Sequence, residues 1–431
     1  MPDLENLRKK WKKARVRSAR FAWPPNWLEA VTTELGLDIS DRRHVKSIAS
    51  AIKRLSDTFI EQTSAKPVGG RNSSVQSRWL YGDDNLLRTA YAAYYLPVNV
   101  PKLVEMFESV RFPWDSVGHI LDIGTGPGTA AIAGLIARAR TGLTSPVDIT
   151  VCDHSRDFLE LSKQMIAVFR RILNIPGTDL SYHFILSSDS GKNDHIYQKT
   201  GYDLVLAANI VAELPKNITA ELPSYLADCV NPGGYVVLVE PARRQPARQV
   251  TAVRDKLTKI GWKVLYPCPA SYPCPLMSRQ KDWCHHRLLW QAPEHISAID
   301  GLIGMEKNLL NFTGFILEKP SETDSIFAES EVLFQVRNQG GDRVSLPGRV
   351  ISDVMAQKGR YCVHVCGIFD GKARALPTVL EKKRMTNYTE CLAGLARYDL
   401  IRLENVGIRE NRLILDENSR LTTCIDDSDQ E

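Results

Sequence analysis

Residues 120–130 read ILDIGTGPGTA (Ile120–Ala130). Ile120, Leu121 and Ile123 form a short apolar run that stops at Gly124, and Ala130 opens the longer apolar stretch AAIAGLIARAR. The pattern predicts a strand passing into a helix through a glycine turn. Gly124, Gly126 and Gly128 allow the backbone to turn sharply and approach a ligand closely, and the helix N-terminus behind them offers unpaired N–H groups. Working outward, strand-like and helix-like runs alternate: GHILDIG, AAIAGLIARAR, VDITVCD, FLELSKQMIAVFRRIL, YHFILSSD, YDLVLAANI, ELPSYLADCV and GGYVVLVEP. Such alternation predicts a parallel sheet with helices on both faces, an α/β Rossmann-like domain over residues 114–262.

The ligand is narrowed by two acids. Asp122 precedes the glycines, and Asp153 ends the next predicted strand, ITVCD, where a carboxylate accepts hydrogen bonds from both hydroxyls of a ribose. A dinucleotide fingerprint would require glycine or alanine where Thr129 stands. Asp122, Gly124, Gly126 and Gly128 fit the loop of class I methyltransferases better, so the expected ligand is S-adenosylmethionine; a glycine turn without a ligand is the ordinary alternative. Asp189, after the third strand, is a candidate for the adenine amino group, or a plain loop aspartate. After the fourth strand, Asn209 and Glu213 are weak candidates to line the methyl-bearing sulfur and to receive a proton. A helix cap and a solvated glutamate are the alternatives. No D/N-P-P-Y/F motif and no Pro-Cys pair stands there to hold or attack a base. Because methyl transfer depends largely on in-line positioning, this leaves the reaction open.

The chain has 431 residues, 43% hydrophobic and 24% charged, enough for more than one domain of an ordinary globular class. No apolar run approaches the roughly 20 residues that cross a bilayer. The opening MPDLENLRKK has no apolar core of a secretory signal, and its Asp3 and Glu5 disfavour a mitochondrial presequence. A prokaryotic cytoplasm is therefore expected, with mitochondria as the alternative. Net charge is +5 but uneven. Arg8, Lys9, Lys10, Lys12, Lys13, Arg15, Arg17 and Arg20 crowd one arm beside Trp11 and Phe21, as expected of a segment that binds RNA phosphates, a solvated helix face being the ordinary alternative.

The expected organisation is a basic arm and helical region over 1–113, with LLRTAYAAYYLP ending its helix before Pro97, then the Rossmann-like domain over 114–262. A cysteine-rich, metal-binding extension completing the sheet follows over 263–325, then a small barrel-like β-rich domain over 326–415 and an acidic tail over 416–431.

Nine cysteines is an odd number in a chain without an export signal, which argues for thiols or metal ligands rather than a disulfide framework. In YPCPASYPCPLMSRQKDWCHH, Cys268, Cys274 and Cys284 fall close together. Thiolates bind soft metals and iron–sulfur clusters, and Cys362 and Cys366 are candidates for a fourth ligand. C-x2-C knuckles are absent, so spacing does not favour zinc, which stays as an alternative. His285, His286 or His364 in place of a thiolate is a further option. Cys152, Cys229 and Cys391 read as core residues, and Cys424 lies in the tail.

The combination of AYAAYYLPVN, ILDIGTGPGTA, YDLVLAANIVAEL, VLVEPA, PCPASYPCP and DWCHH resembles the family of mitochondrial ribosomal small-subunit protein 22, also called methyltransferase-like protein 17, and its bacterial and archaeal relatives. The resemblance runs from about Tyr91 to Asp399. It implies an assembly factor of the small ribosomal subunit that contacts the subunit's rRNA and proteins, carries S-adenosylmethionine and holds a [4Fe–4S] cluster. It further implies Cys268, Cys274, Cys284 and Cys366 as the ligands, with Cys362 the alternative to Cys366 because extra residues precede Asp370 and Gly371. Two functions compete, an rRNA methyltransferase and a non-catalytic assembly factor. Radical chemistry would need a compact C-x3-C-x2-C loop, which the chain lacks.

Overall fold

The computed structural model describes residues 17–18, 21–63, 82–176, 180–184, 201–321, 337–339, 343–369 and 372–423. Of the basic arm only Arg17 falls among them, in a short strand; Arg8, Lys9, Lys10, Lys12, Lys13, Arg15 and Arg20 lie outside the described residues, as do Asp189 and Cys424.

The first helices are α1 (Trp27–Glu34), α2 (Arg42–Thr63), α3 (Asn85–Ala90) and α4 (Leu96–Ser109). Asp84 caps α3, its side chain accepting from the Leu86 and Leu87 amides at 2.9 and 3.1 Å. The expected helix end before Pro97 does not occur. Tyr91–Tyr95 form a π-helical turn that joins α3 to α4, and the Leu96 amide donates to the Tyr91 carbonyl. Pro97 then sits in the first turn of α4, where no intrahelical donor is required.

Strands β1 (Arg17–Ser18), β2 (His119–Ile123), β3 (Asp148–Asp153), β4 (Leu180–Phe184), β5 (Tyr202–Ala208), β6 (Val230–Pro241), β7 (Lys263–Tyr266), β8 (His286–Leu289) and β9 (Leu309–Glu318) make one sheet, ordered β4-β3-β2-β5-β6-β9-β8-β1, with β7 also on β9. The run from β4 to β6 is parallel, whereas β9 lies antiparallel to β6, β7 and β8. Strands β2 and β3 are buried from their second residue onward, the signature of strands covered on both faces. Helices α4, α5 (Thr129–Arg140) and α6 (Arg156–Ile172) share the core of one face; α7 (Lys216–Cys229) and α8 (Arg244–Lys259) share that of the other. Between β8 and β9 lies α9 (Glu294–Ile303). Chain order reverses between β2 and β5, so the connections diverge there and leave a crevice at the carboxyl ends of these strands.

A second sheet contains β10 (Arg337–Gln339), β11 (Arg343–Val350), β12 (Met355–Gln357), β13 (Arg360–Phe369), β14 (Lys372–Glu381), β15 (Leu400–Arg409), β16 (Arg412–Leu415) and β17 (Arg420–Thr423). Pairing of β11 with β15 closes it into a barrel around Val363, Val365, Leu380, Leu403 and Leu413. Residues 416–423 do not behave as the tail that composition suggested. Strand β17 pairs with β15, Leu421 is buried, and Asp416 binds Arg343 at 2.8 Å, which lowers the Asp416 pKa to about 2. Cys152 and Cys229 are buried in the first sheet's core, and Cys391 packs against that of the barrel.

Candidate cofactor crevice and cysteine cavity

The crevice at the β2–β5 reversal is lined by Tyr91, Asp122, Gly126, Asp153, Asn209 and Glu213, among others. The three loop glycines have different physical reasons. Each has positive φ, at +64°, +51° and +84°. A Cβ on Gly124 would lie 2.4 Å from Cδ1 of Ile210, and one on Gly128 would lie 3.1 Å from Ile166. A Cβ on Gly126 would meet no protein atom within 4 Å and would project into the open crevice.

Asp122 and Asp153 brace the loop from two sides. Oδ2 of Asp122 accepts from Oγ1 of Thr125 at 2.9 Å and from the Ala131 amide at 3.1 Å, joining the strand end to the first turn of α5. Burial raises the Asp122 pKa to about 7, with those two hydrogen bonds opposing the shift. Asp153 accepts from the amides of Gly126 and Ser155, both at 2.9 Å. His154 Nδ1 also stands 3.1 Å from Oδ1 of Asp153; with about four lone-pair sites on a carboxylate, room for a further hydroxyl donor remains. Tyr91 and Phe158 meet edge to face on the wall, 5.8 Å between centroids; sequence reasoning missed both as lining residues because each reads as ordinary helical core.

The segment after β5 is not a helix cap. Asn209 has φ +59° and donates its amide to the Val239 carbonyl at 2.7 Å, while the next helix begins only at Lys216. Asparagine is among the few non-glycine residues that tolerate this conformation, and its occurrence in a crevice marks a candidate functional position. Glu240, overlooked in the sequence, holds the segment. Its Oε1 accepts from the amides of Val211 at 2.7 Å and Ala212 at 3.3 Å. Burial and the neighbouring Glu213 raise the Glu240 pKa to about 8. The available signal was a lone acid closing an otherwise apolar strand, YVVLVE.

The structure brings Cys268, Cys274, Cys284 and Cys366 to the wall of one cavity. Three come from the segment joining β7 to β8. The fourth comes from β13, where Val363 and Val365 point into the barrel core and Cys366 points out to pack with Cys274 and Cys284. Cys362 pairs with Val379 and Met355 further along β13 and does not line the cavity. Nor do the alternative histidines: His286 stacks on Tyr266, His285 lies between Trp283 and Tyr398, and His364 lies on the outer side of β13. Among the described residues no group of three His, Cys, Asp or Glu side chains forms a single-ion site.

Two arginines that spacing could not reveal also line the cavity. Arg254, 1% exposed, reaches the Ala270 carbonyl at 3.2 Å, the Tyr272 carbonyl and Oδ1 of Asp255 at 2.5 Å. Asp255 in turn accepts from the Cys274 amide, so α8 shapes the cysteine loop. Arg349, on β11, binds the Pro267 carbonyl and is also buried. Burial and the neighbouring thiols push the Cys274 pKa up to about 12 and that of Cys284 to about 11, and hold Cys366 well above the ordinary range. Raised pKa values favour the protonated form of Cys274, Cys284 and Cys366, and metal binding would displace those protons. An anionic thiolate-bound group fits this donor set because Arg254 and Arg349 supply buried positive charge.

The doubly wound sheet with its glycine crevice has the fold of class I methyltransferases. The chain belongs to the family described as mitochondrial small ribosomal subunit Rsm22, whose model matches residues 87–390. No curated protein is significantly similar in sequence. Solved structures similar to the chain include an O-methyltransferase family protein from Burkholderia thailandensis, 12% identical, covering 65% of this chain and 74% of that one, with a TM-score of 0.34. A ribosomal protein L11 methylase from Lactobacillus delbrueckii subsp. bulgaricus is 13% identical, covering 52% and 79%, at 0.28. A methyltransferase from Pyrococcus furiosus is 13% identical, covering 62% and 97%, at 0.28.

Proposed function

We propose that this chain is a small-subunit assembly factor in which bound S-adenosylmethionine and a [4Fe–4S] cluster brace a surface for small-subunit rRNA. The observation that carries the reading is the convergence of four cysteines, from two separate parts of the chain, on a cavity flanked by buried Arg254 and Arg349. Cys268, Cys274, Cys284 and Cys366 would hold the cluster, which supplies a rigid covalent link between the sheet domain and the barrel. Gly126 and Asp153 would hold the nucleoside of the cofactor, and Asp122 the shape of the loop around it. The basic arm from Arg8 to Arg20 would contact phosphates. Among the described residues no helix is long and apolar enough to cross a membrane. The compartment follows that of the subunit served, a prokaryotic cytoplasm or the mitochondrion.

Anaerobic purification of the full chain tests the cluster. Brown protein with about four iron and four sulfide per chain supports it, and colourless protein with stoichiometric zinc removes it. Binding to isolated small subunits tests the partner. The affinity should fall steeply with salt, because cation–phosphate contacts release counterions, and deletion of residues 8–20 should flatten that response. Absence of affinity for small subunits refutes the ribosomal reading.

A catalytic reading is favoured by one feature, the left-handed Asn209 beside Glu213 in the crevice. It requires labelled methyl transfer to small-subunit RNA, lost in Gly126→Arg. No incorporation into any precursor subunit leaves the structural role.

A further inference from the structure

The barrel's strand order is β11-β13-β14-β16-β15, returning to β11. Every contact in this circuit is antiparallel except β14 with β16. Numbered within the barrel, that is 1-2-3-5-4-1 with strands 3 and 5 parallel, the topology of the OB-fold. Such barrels bind oligonucleotides across strands 2 and 3 and the adjoining loops. Here one end of that face is already used: Cys366 and Ala375, cross-strand partners on strands 2 and 3, pack against the cysteine cavity. The other end is exposed, and there cations and aromatics interleave.

Three segments meet at that end. The Lys382 amide donates to the Gly359 carbonyl at 2.9 Å, which brings the turn after β14 to the loop between strands 1 and 2. The Leu421 amide donates to the Tyr388 carbonyl at 2.9 Å, which adds β17. Lys382, Lys383 and Arg384 are exposed in sequence, and Glu381 lies near the last two, 3.4 and 3.3 Å away. Nζ of Lys382 stands 4.9 Å from the centre of the ring of Tyr361, which is half-buried and packs against the end of the barrel core. Arg420 stands 4.5 Å from the ring centre of Tyr388, a tyrosine with 56% of its surface exposed.

We infer that this end of the barrel, presenting Lys382, Lys383, Arg384, Tyr388 and Arg420 with Tyr361 beneath Lys382, is a binding site for single-stranded RNA. A purely solvated cationic face does not need a large exposed aromatic ring, and a folded duplex does not offer unstacked bases to one. Phosphates meet the Lys382–Arg384 turn, and a base stacks at Tyr388, where sequence-tolerant recognition arises because every base has a π-face. The site deepens the rRNA reading above and rests on it. It lies apart from both the crevice and the cysteines, so it places an RNA strand against the domain that Cys366 anchors.

The test uses the intact chain and a fluorescent 20-nucleotide oligouridylate, with anisotropy read at several salt concentrations. Replacing Lys382, Lys383 and Arg384 together by glutamate should weaken binding at least tenfold and reduce the slope of log affinity against log salt by about 2, three contacts at roughly 0.7 each. Tyr388→Ala should weaken binding about tenfold with the salt slope unchanged, and Tyr388→Phe should restore it. Both variants are at the surface, and unchanged thermal midpoints and unchanged iron content of the chain would show that they fold. Wild-type binding by both variants overturns the assignment. So does displacement by polyglutamate that Tyr388→Ala does not alter, which would mark an acidic protein partner instead. If small-subunit binding persists while both variants bind oligouridylate as tightly as the parent chain, only the barrel site falls. If the intact chain ignores small subunits but grips oligouridylate through this patch, only the ribosomal reading falls.

Discussion

The Gly126 amide donates to Oδ2 of Asp153 at 2.9 Å, tying the turn after β2 to the end of β3. One carboxylate therefore holds the glycine loop and lines the crevice. Asp153→Ala removes a hydrogen bond to a charged group, worth about 1.5–3 kcal/mol. S-adenosylmethionine binding, measured by calorimetry, should weaken by at least tenfold, and the loop amides should exchange faster with deuterium.

The glycines separate ligand space from folding space. Gly126→Ala places its Cβ where no protein atom lies within 4 Å, at a φ of +51° that costs an L residue roughly 1–2 kcal/mol. Cofactor binding should fall sharply while the thermal midpoint drops by only a few degrees. Gly124→Ala must also displace the Ile210 side chain, so its midpoint should fall further.

Position along β13 distinguishes two cysteines that share its outer face: Cys366, opposite Ala375, lies at the cavity, and Cys362, opposite Val379, lies four residues away from it. Cys366→Ser should abolish the visible absorption and the bound iron of anaerobically purified protein, whereas Cys362→Ser should leave both intact. The reverse result would require a register on β13 different from Cys366 opposite Ala375.

Glu240 gives a signed pH dependence. Its pKa rises from an ordinary 4.5 to about 8 in the folded chain, so between those values the native state binds more protons than the unfolded one. The linked stability is fully present below about pH 4.5 and is lost as pH rises through about 8. Glu240→Gln keeps an acceptor for the Val211 and Ala212 amides without the charge. Thermal midpoints measured across this window should decline with pH in the parent chain and decline less in the variant. Equal slopes would show that Glu240 does not carry the effect.

Local spacing made much of the fold and several candidate positions legible. The Ile120–Ala130 stretch reads as strand, turn and helix because apolar periodicity and glycine are local signals, and Asp153 is located by the end of the next apolar run. Cys268, Cys274 and Cys284 stand out because they are near one another in the chain. Pro97 misled, since a proline normally breaks the preceding hydrogen-bond ladder; the π turn at Tyr91–Tyr95 redirects that ladder and cannot be read from the proline itself.

The alternating α/β plan, the glycine turn and the thiol-rich segment were legible without coordinates, because each depends on residues within a few turns of one another. The rest came from the packed fold. It placed Cys366 and not Cys362 at the cavity wall because the two share one face of β13 but only the Cys366 end of that strand packs against Cys274 and Cys284. It brought Arg254 and Arg349 beside the thiols, and it set Glu240 beneath the Asn209 segment. These are meetings of distant residues, and they are decided by which buried faces and charges can be satisfied together, a condition that no local pattern records.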